Sequence, residues 1–354
     1  MSAGSMGPST RRVDWVDYAK GICIILVVMM HSTLGVEKAA GELSWLNGFI
    51  EWARPFRMPD FFLISGLFLS TRIDHPWRQY LDTKLLHFAY FYVLWMTIQF
   101  AMKSGGLYAN EGAVATLQAY GSGLIQPYGT LWFIYLLSLF FVVVKLLRPF
   151  PPLLVFLVGA ALEMAPIDTG WLVIDEFCAR FVYFFAGYWL ARHVFAFARE
   201  VDSLNPLGIL AGLVMWSIIN AILVSNGAAH LPGIGLILGF IGAGAVISAG
   251  VFLARFRLAS PIRYCGENSI VIYLSFFMFM AATRTVLLKT GLIDDLAIVS
   301  FIVTAVGVIS PVLLFWAVRR TPLSFLFRRP QGLSIPATPR QPELVSNGAR
   351  RLEA

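Results

Sequence analysis

The sequence predicts an all-α fold, a polytopic transmembrane helical bundle of about ten spans with both termini in the cytoplasm, and three observations carry that expectation. Of 354 residues, 58% are hydrophobic and only 13% charged, about half the charge of an ordinary soluble domain; mean hydropathy is +0.73. Apolar runs near twenty residues recur along nearly the whole chain, each long enough to cross a hydrocarbon core. Lys and Arg collect in alternate loops, as they do on the cytoplasmic side of membrane proteins.

The first run, residues 16–35, begins within MSAGSMGPSTRRVDWVDYAK, a start too long and too acidic for the leading region of a cleaved secretion signal, so it reads as an anchor retained as the first helix. The second and fifth runs, 58–71 and 152–166, are short and contain or abut proline, the mark of a tilted, broken or partly re-entrant helix covered by protein. Runs at 85–102, 128–147, 176–195, 206–224, 232–253, 268–288 and 296–318 complete the set.

Ten spans return the chain to its starting side. That side collects about sixteen basic residues, from Arg11 and Arg12 through Arg72, Arg78 and Lys84 to Arg328 and Arg329, against Lys38, Arg54, Lys103, Arg284 and Lys289 on the other; the positive-inside rule makes it cytoplasmic. Loops at 36–57 and 103–127 are too short for a separate domain. The chain therefore divides into a cytoplasmic N-terminal segment 1–12, a membrane domain 13–320, and a disordered cytoplasmic tail 321–354, whose RRPQGLSIPATPRQPELVSNGARR has too few apolar groups to fold. No inverted repeat of the transporter kind is evident.

A formal charge of +7 does not point to nucleic acid, because the basic residues sit in short loops rather than on a soluble face with interleaved aromatics. Cys23, Cys178 and Cys265 have no spacing suited to a metal site or redox pair, so neither a metal nor a disulfide is expected.

Ionisable groups within apolar runs are costly and mark sites. In KGICIILVVMMH, Lys20 and His31 lie eleven residues apart, just over three turns and roughly 16 Å along a helix, hence nearly on one face. Asp17 falls near that face. The plain alternative is a snorkelling lysine paired with Asp17, and a histidine bonded to a neighbouring helix. In RPFRMPDFFLISGLFLS, Arg57 and Asp60 stand one turn apart, with Pro59 in a first helical turn. They either neutralise each other or leave the Arg57 fork to an anion or substrate. Arg180 in DEFCARFVYFFAGYWL pairs with Asp175 or Glu176, or serves a site. Asn268 in RYCGENSIVIYLSFF caps a helix or joins the site. Trp132 and Tyr135 read as interfacial or packing aromatics.

Taken in order, DYAKGICIILVVMMHS, FRMPDFFLISGLFLS, TLWFIYLL, RFVYFFAGYWL and GENSIVIYL resemble the acyltransferase-3 family of bacterial integral-membrane O-acyltransferases over roughly residues 12–318. The first two motifs are the specific ones, and the wording of the second and third is most similar to an inner-membrane branch of unnamed substrate. Lys20 and His31 match the family's basic residue, ten others, then histidine; Arg57 matches its arginine motif. The resemblance implies transfer of an acetyl or other short acyl group from cytoplasmic acyl-CoA, with acetyl-CoA the expected donor, to a hydroxyl of an envelope carbohydrate, glycolipid or related acceptor. It implies a bacterial cytoplasmic (inner) membrane, with the lipid bilayer and envelope-modification proteins as partners. On that resemblance His31 is the general base, since imidazole titrates nearest neutrality, and Arg57 is the second catalytic residue, with Arg57 or Arg180 meeting charge on the thioester oxygen. Lys20, Arg72 and Arg78 are the expected coenzyme-binding residues, helped by Lys84, and Asp17, Asp60, Arg180 and Asn268 are further candidates; no metal is implied. Many members carry another histidine where Phe276 stands, and some carry an esterase-like extension, so the acceptor is expected to be handled by the membrane domain or a partner. The competing reading is a transporter or flippase of a glycan or lipid intermediate, with Asp60 as its coupling carboxylate.

Overall fold

Lipid offers no hydrogen bonds to a backbone, so an apolar chain of this kind satisfies its own amides in helices. The computed structural model describes residues 13–333, and among these no residue lies in a strand. The first helices are α1 (Asp14–Ala40), α2 (Asn47–Leu67) and α3 (Trp77–Leu81); α3 runs through a π-helical turn, Asp82–Leu86, into α4 (His87–Ser122). A 3-10 turn, Gly129–Leu131, opens α5 (Trp132–Leu146), followed by α6 (Pro152–Met164), α7 (Leu172–Trp189), α8 (Ala191–Ser203) and α9 (Pro206–Ser225). The chain finishes with α10 (Ile234–Phe256), α11 (Ser260–Glu267), α12 (Ser269–Thr290), α13 (Leu296–Val318) and a 3-10 segment, Pro322–Leu326.

All ten expected apolar runs fall on helices, yet seven helical stretches among the described residues are long and apolar enough to cross a membrane, or eight when the bent pair α7 and α8 is one span. The difference has physical causes. Helix α6, with 13 residues, reaches about 20 Å, short of a core about 30 Å thick. Helix α2 is long enough but dilutes its apolar face with Glu51, Arg54, Arg57 and Asp60. The expected sixth span breaks at Leu190, where the chain bends by 75°. Beyond the bend α8 is amphipathic, burying Ala191, Ala198 and Val201 while Arg192, Arg199 and Glu200 stay exposed, the character of a helix lying along an interface.

Other boundaries also move. Helix α2 starts at Asn47 rather than 58, so Pro59 sits in its interior with Pro55 instead of in a first turn. The expected loop 103–127 is mostly helical, because α4 continues to Ser122 across a bend at Gly112, whose φ of 82° suits glycine. The expected disordered tail is folded at its start. Phe325 and Leu326 offer carbonyls to Tyr90 Oη and Trp95 Nε1 of α4, each at 3.0 Å. These bonds and the Phe327–Trp95 ring contact at 5.5 Å moor residues that composition alone reads as unstructured. The remainder of that tail, like the segment 1–12, lies outside the described residues.

Glycines set the closest approaches. A Cβ on Gly266 of α11 would strike the Asp17 carbonyl of α1, and one on Gly21 the Ile262 carbonyl of α11. Gly187 of α7 likewise meets the Leu63 carbonyl of α2, and Gly66 the Phe184 carbonyl of α7. Small residues that let backbones touch substitute for the hydrophobic drive that lipid removes. Their effect is to draw α1, α2, α7 and α11 around one axis, with rings such as Phe61 and Phe133, stacked at 4.6 Å, filling the space between.

Candidate active site

Two of the cavities along α1 lie near the ionisable residues of KGICIILVVMMH, one near each. The first, about 540 Å3, is lined by Lys20 and Asp17 of α1, Arg72 from the connection after α2, Lys84 of the π-helical turn, and Glu267 at the end of α11. The second, about 330 Å3, holds His31 of α1, Arg54 and Arg57 of α2, Thr130, Trp132, and Glu176 and Arg180 of α7. Phe61, Phe133 and Tyr273 line both. Eleven residues of α1 thus carry one face from a basic cavity to a histidine-bearing one, as helical periodicity requires.

The partition between them is held in place by hydrogen bonds. Tyr273 Oη donates to the Thr130 carbonyl at 2.5 Å and accepts from the Phe133 amide at 3.1 Å, which fixes its ring against Phe133, 5.5 Å between centroids. Burial of a tyrosine is favourable when its hydroxyl is satisfied in this way.

Arg57 is the unusual group of the second cavity. It is 6% exposed, and its Nη1 donates to the Ile50 carbonyl at 3.4 Å while Nη2 lies 2.9 Å from Met30 Sδ; its Nε has no hydrogen-bond partner. The expected Arg57–Asp60 pair does not form. Asp60 is fully buried and accepts instead from Cys23 Sγ of α1, and it lines neither cavity. A buried guanidinium held by weak acceptors is suited to receive an anionic or developing negative oxygen. Arg180, by contrast, is paired one turn away with Glu176, Nε to Oε2 at 3.1 Å, while Asp175 accepts from the amide and hydroxyl of Thr169. Of the two carboxylates expected as partners, Glu176 is the one used.

His31 packs against Phe276, with ring centroids 5.5 Å apart. Phe276, at the position that the family resemblance associates with a second histidine, therefore touches the His31 ring and supplies an apolar wall. Arg78 does not join the basic cavity. On α3 the inward residue is Tyr80, whose Oη donates to the Phe141 carbonyl at 2.6 Å; Arg78, two residues earlier and so on the opposite side, is exposed. Asn268 also stays outside both cavities, its Nδ2 donating back to the Tyr264 carbonyl at 2.9 Å, with no side-chain cap on α12. Thr130 and Tyr273 were not singled out by the sequence; hydroxyls within apolar motifs were the available signal.

Among the described residues no group of three or more His, Cys, Asp or Glu is placed to hold a metal ion. The comparisons agree with the architecture. Residues 13–320 match the acyltransferase-3 family, described as an acyltransferase domain. The chain is 26% identical over 287 residues to Inner membrane protein YcfT of Escherichia coli (strain K12), covering 73% of this chain and 77% of that protein. It is 27% identical over 158 residues to Nodulation protein NolL of Mesorhizobium japonicum, covering 44% of this chain and 42% of that protein. No solved structure matches it significantly. With a family match running from α1 through α13, over the helices that build both cavities, the chain belongs to the acyltransferase-3 family and is a membrane acyltransferase.

Proposed function

We propose that the protein moves an acetyl or other short acyl group from acyl-CoA to a hydroxyl of an envelope carbohydrate or glycolipid, with His31 as general base. The observation that carries this reading is the pair of adjoining cavities sharing Phe61, Phe133 and Tyr273. Lys20, Arg72 and Lys84 supply three cations for the phosphates of the coenzyme, and the pantetheine arm displaces rings of the shared partition to present its thioester to His31. As the acceptor oxygen bonds to the thioester carbon, His31 takes the hydroxyl proton and Arg57 meets the charge on the carbonyl oxygen. Collapse breaks the carbon–sulfur bond, and the proton passes from His31 to the departing sulfur, leaving an ester and free coenzyme.

The basic cavity sits at the end of the bundle where Arg148 pairs with Asp74 and Arg263 lies 3.4 Å from Asp14; the positive-inside rule makes that end cytoplasmic. Similarity to an inner membrane protein supports the same membrane for this chain. Only the acyl group then crosses. The test is turnover of labelled acetyl-CoA by the full chain in nanodiscs, with a mixed glycan panel as acceptor. His31→Ala is expected to lose transfer while binding acetyl-CoA as the wild type does, and Lys20→Ala to weaken acetyl-CoA binding. Transfer that survives His31→Ala rejects the base assignment.

A further inference from the structure

We infer that Arg329 is a positioning residue for the basic cavity: by clamping the π-helical turn Asp82–Leu86 it fixes the direction of Lys84. The inference rests on the reading of that cavity as the acyl-CoA phosphate site.

The geometry begins with the turn. Its closing bond runs from the His87 amide to the Asp82 carbonyl, five residues apart, the spacing that defines a π turn and distinguishes it from the surrounding α-helix. Arg329 addresses that same carbonyl, Nη1 donating to Asp82 O at 2.8 Å, while Nη2 reaches Asp82 Oδ2 at 2.7 Å. The two side chains are only 9% and 13% exposed, so the pair is shielded from water and the contact is two-pronged and charge-assisted. Arg329 arrives there because the segment before it is moored on α4 by Tyr90 and Trp95.

What the turn presents is Lys84. Its Nζ lies 4.4 Å from the centroid of Phe141, and both residues line the basic cavity with Lys20 and Arg72. A π turn is a one-residue insertion into an α-helix, and one residue of α-helix is about 100° of rotation. Without the clamp on its closing carbonyl, the turn relaxes toward the α register and Lys84 swings off the cavity wall. A pair that only tied the C-terminal segment down would have no reason to engage this carbonyl.

The experiment measures KM for acetyl-CoA and kcat for the full chain in nanodiscs, in wild type, Arg329→Gln, Arg329→Lys, Lys84→Gln, Lys20→Ala and the Arg329→Gln/Lys84→Gln double variant. Arg329→Gln is expected to raise KM by about fivefold, the effect of one ordinary hydrogen bond passed on through Lys84, with kcat held within about twofold. Arg329→Lys, which keeps the charge but loses the fork, falls between. In the Lys84→Gln background, Arg329→Gln adds nothing further, because its effect runs through Lys84. An unchanged KM in Arg329→Gln, a fall confined to kcat, or effects that multiply in the double variant overturn the inference. If Lys84→Gln raises KM and Arg329→Gln does not, the inference alone falls; if neither Lys84→Gln nor Lys20→Ala changes it, the coenzyme reading of the cavity falls with it. Arg329→Lys covers the case in which Arg329→Gln does not fold: a single ammonium cannot hold the Asp82 carbonyl and carboxylate together as the fork does, and an unchanged KM there rejects the clamp.

Discussion

At Arg57 a positive charge is buried with a backbone carbonyl and a thioether as its neighbours, an arrangement that favours an incoming oxygen over the uncompensated state. Arg57→Lys keeps the charge and removes the fork, so transfer is expected to fall by about 10²–10³ in kcat, the range for losing one preorganised donor at a developing oxyanion, with acetyl-CoA binding retained; a kcat within tenfold of wild type removes Arg57 from the chemistry. Tyr273→Phe leaves the ring but deletes a hydroxyl that both donates and accepts. It is expected to cost about 1–3 kcal/mol of stability, read as a lowered thermal midpoint in nanodiscs. Much of this was legible in the chain. Lys20 and His31 share a helix face because eleven residues make just over three turns, and each lines one of two adjoining cavities. Arg57 and Asp60 were not resolved by spacing: one turn apart predicts a pair, but α1 packs so closely that Cys23 reaches the carboxylate first. Arg78 lies outside the basic cavity because the residue two places on, Tyr80, faces inward.

The helices follow the apolar runs, and their ends depart from them for reasons held in the third dimension. Proline at 59 suggests a start, yet α2 carries it in its interior because neighbouring helices cover the freed carbonyl region and no lipid meets it. The turn at Asp82–Leu86 has no sequence mark at all; its register shows in the His87–Asp82 backbone bond, and the side chain that meets it comes from Arg329, 247 residues away. Contacts between α2 and α7 make the clearest prediction at this scale. Gly187→Ala drives a methyl group into the Leu63 carbonyl, a backbone atom that cannot rotate away, and is expected to cost about 1–3 kcal/mol. It also moves Arg57 relative to Arg180, so transfer drops with stability. Gly208→Ala on lipid-facing α9, where a Cβ meets nothing within 4 Å, is the control and should leave both unchanged. Equal losses in the two variants would mean that helix approach is not what Gly187 provides.

For the whole molecule the charge distribution predicts orientation. Arg320→Cys and Glu42→Cys, both at exposed positions, should label from opposite sides with a membrane-impermeant maleimide in oriented vesicles: Arg320→Cys from the cytoplasmic face and Glu42→Cys from the other. Labelling of both from one face overturns an odd number of crossings between α2 and α13, and with it the ten-span count. The stacked rings of Phe61 and Phe133, with Tyr273 pinned beside them, have a consequence of their own. A membrane protein with two adjoining recesses risks becoming a leak, and a cell that stores energy as an ion gradient across its membrane cannot tolerate one. Three aromatic side chains at the meeting point are an electrical insulator, with no polar group to pass a proton or a sodium ion down the gradient except a hydroxyl already engaged at both ends. Phe133→Ala should therefore make sealed vesicles carrying the protein lose an imposed pH gradient faster than vesicles carrying the wild type, a cost independent of any acyl group transferred.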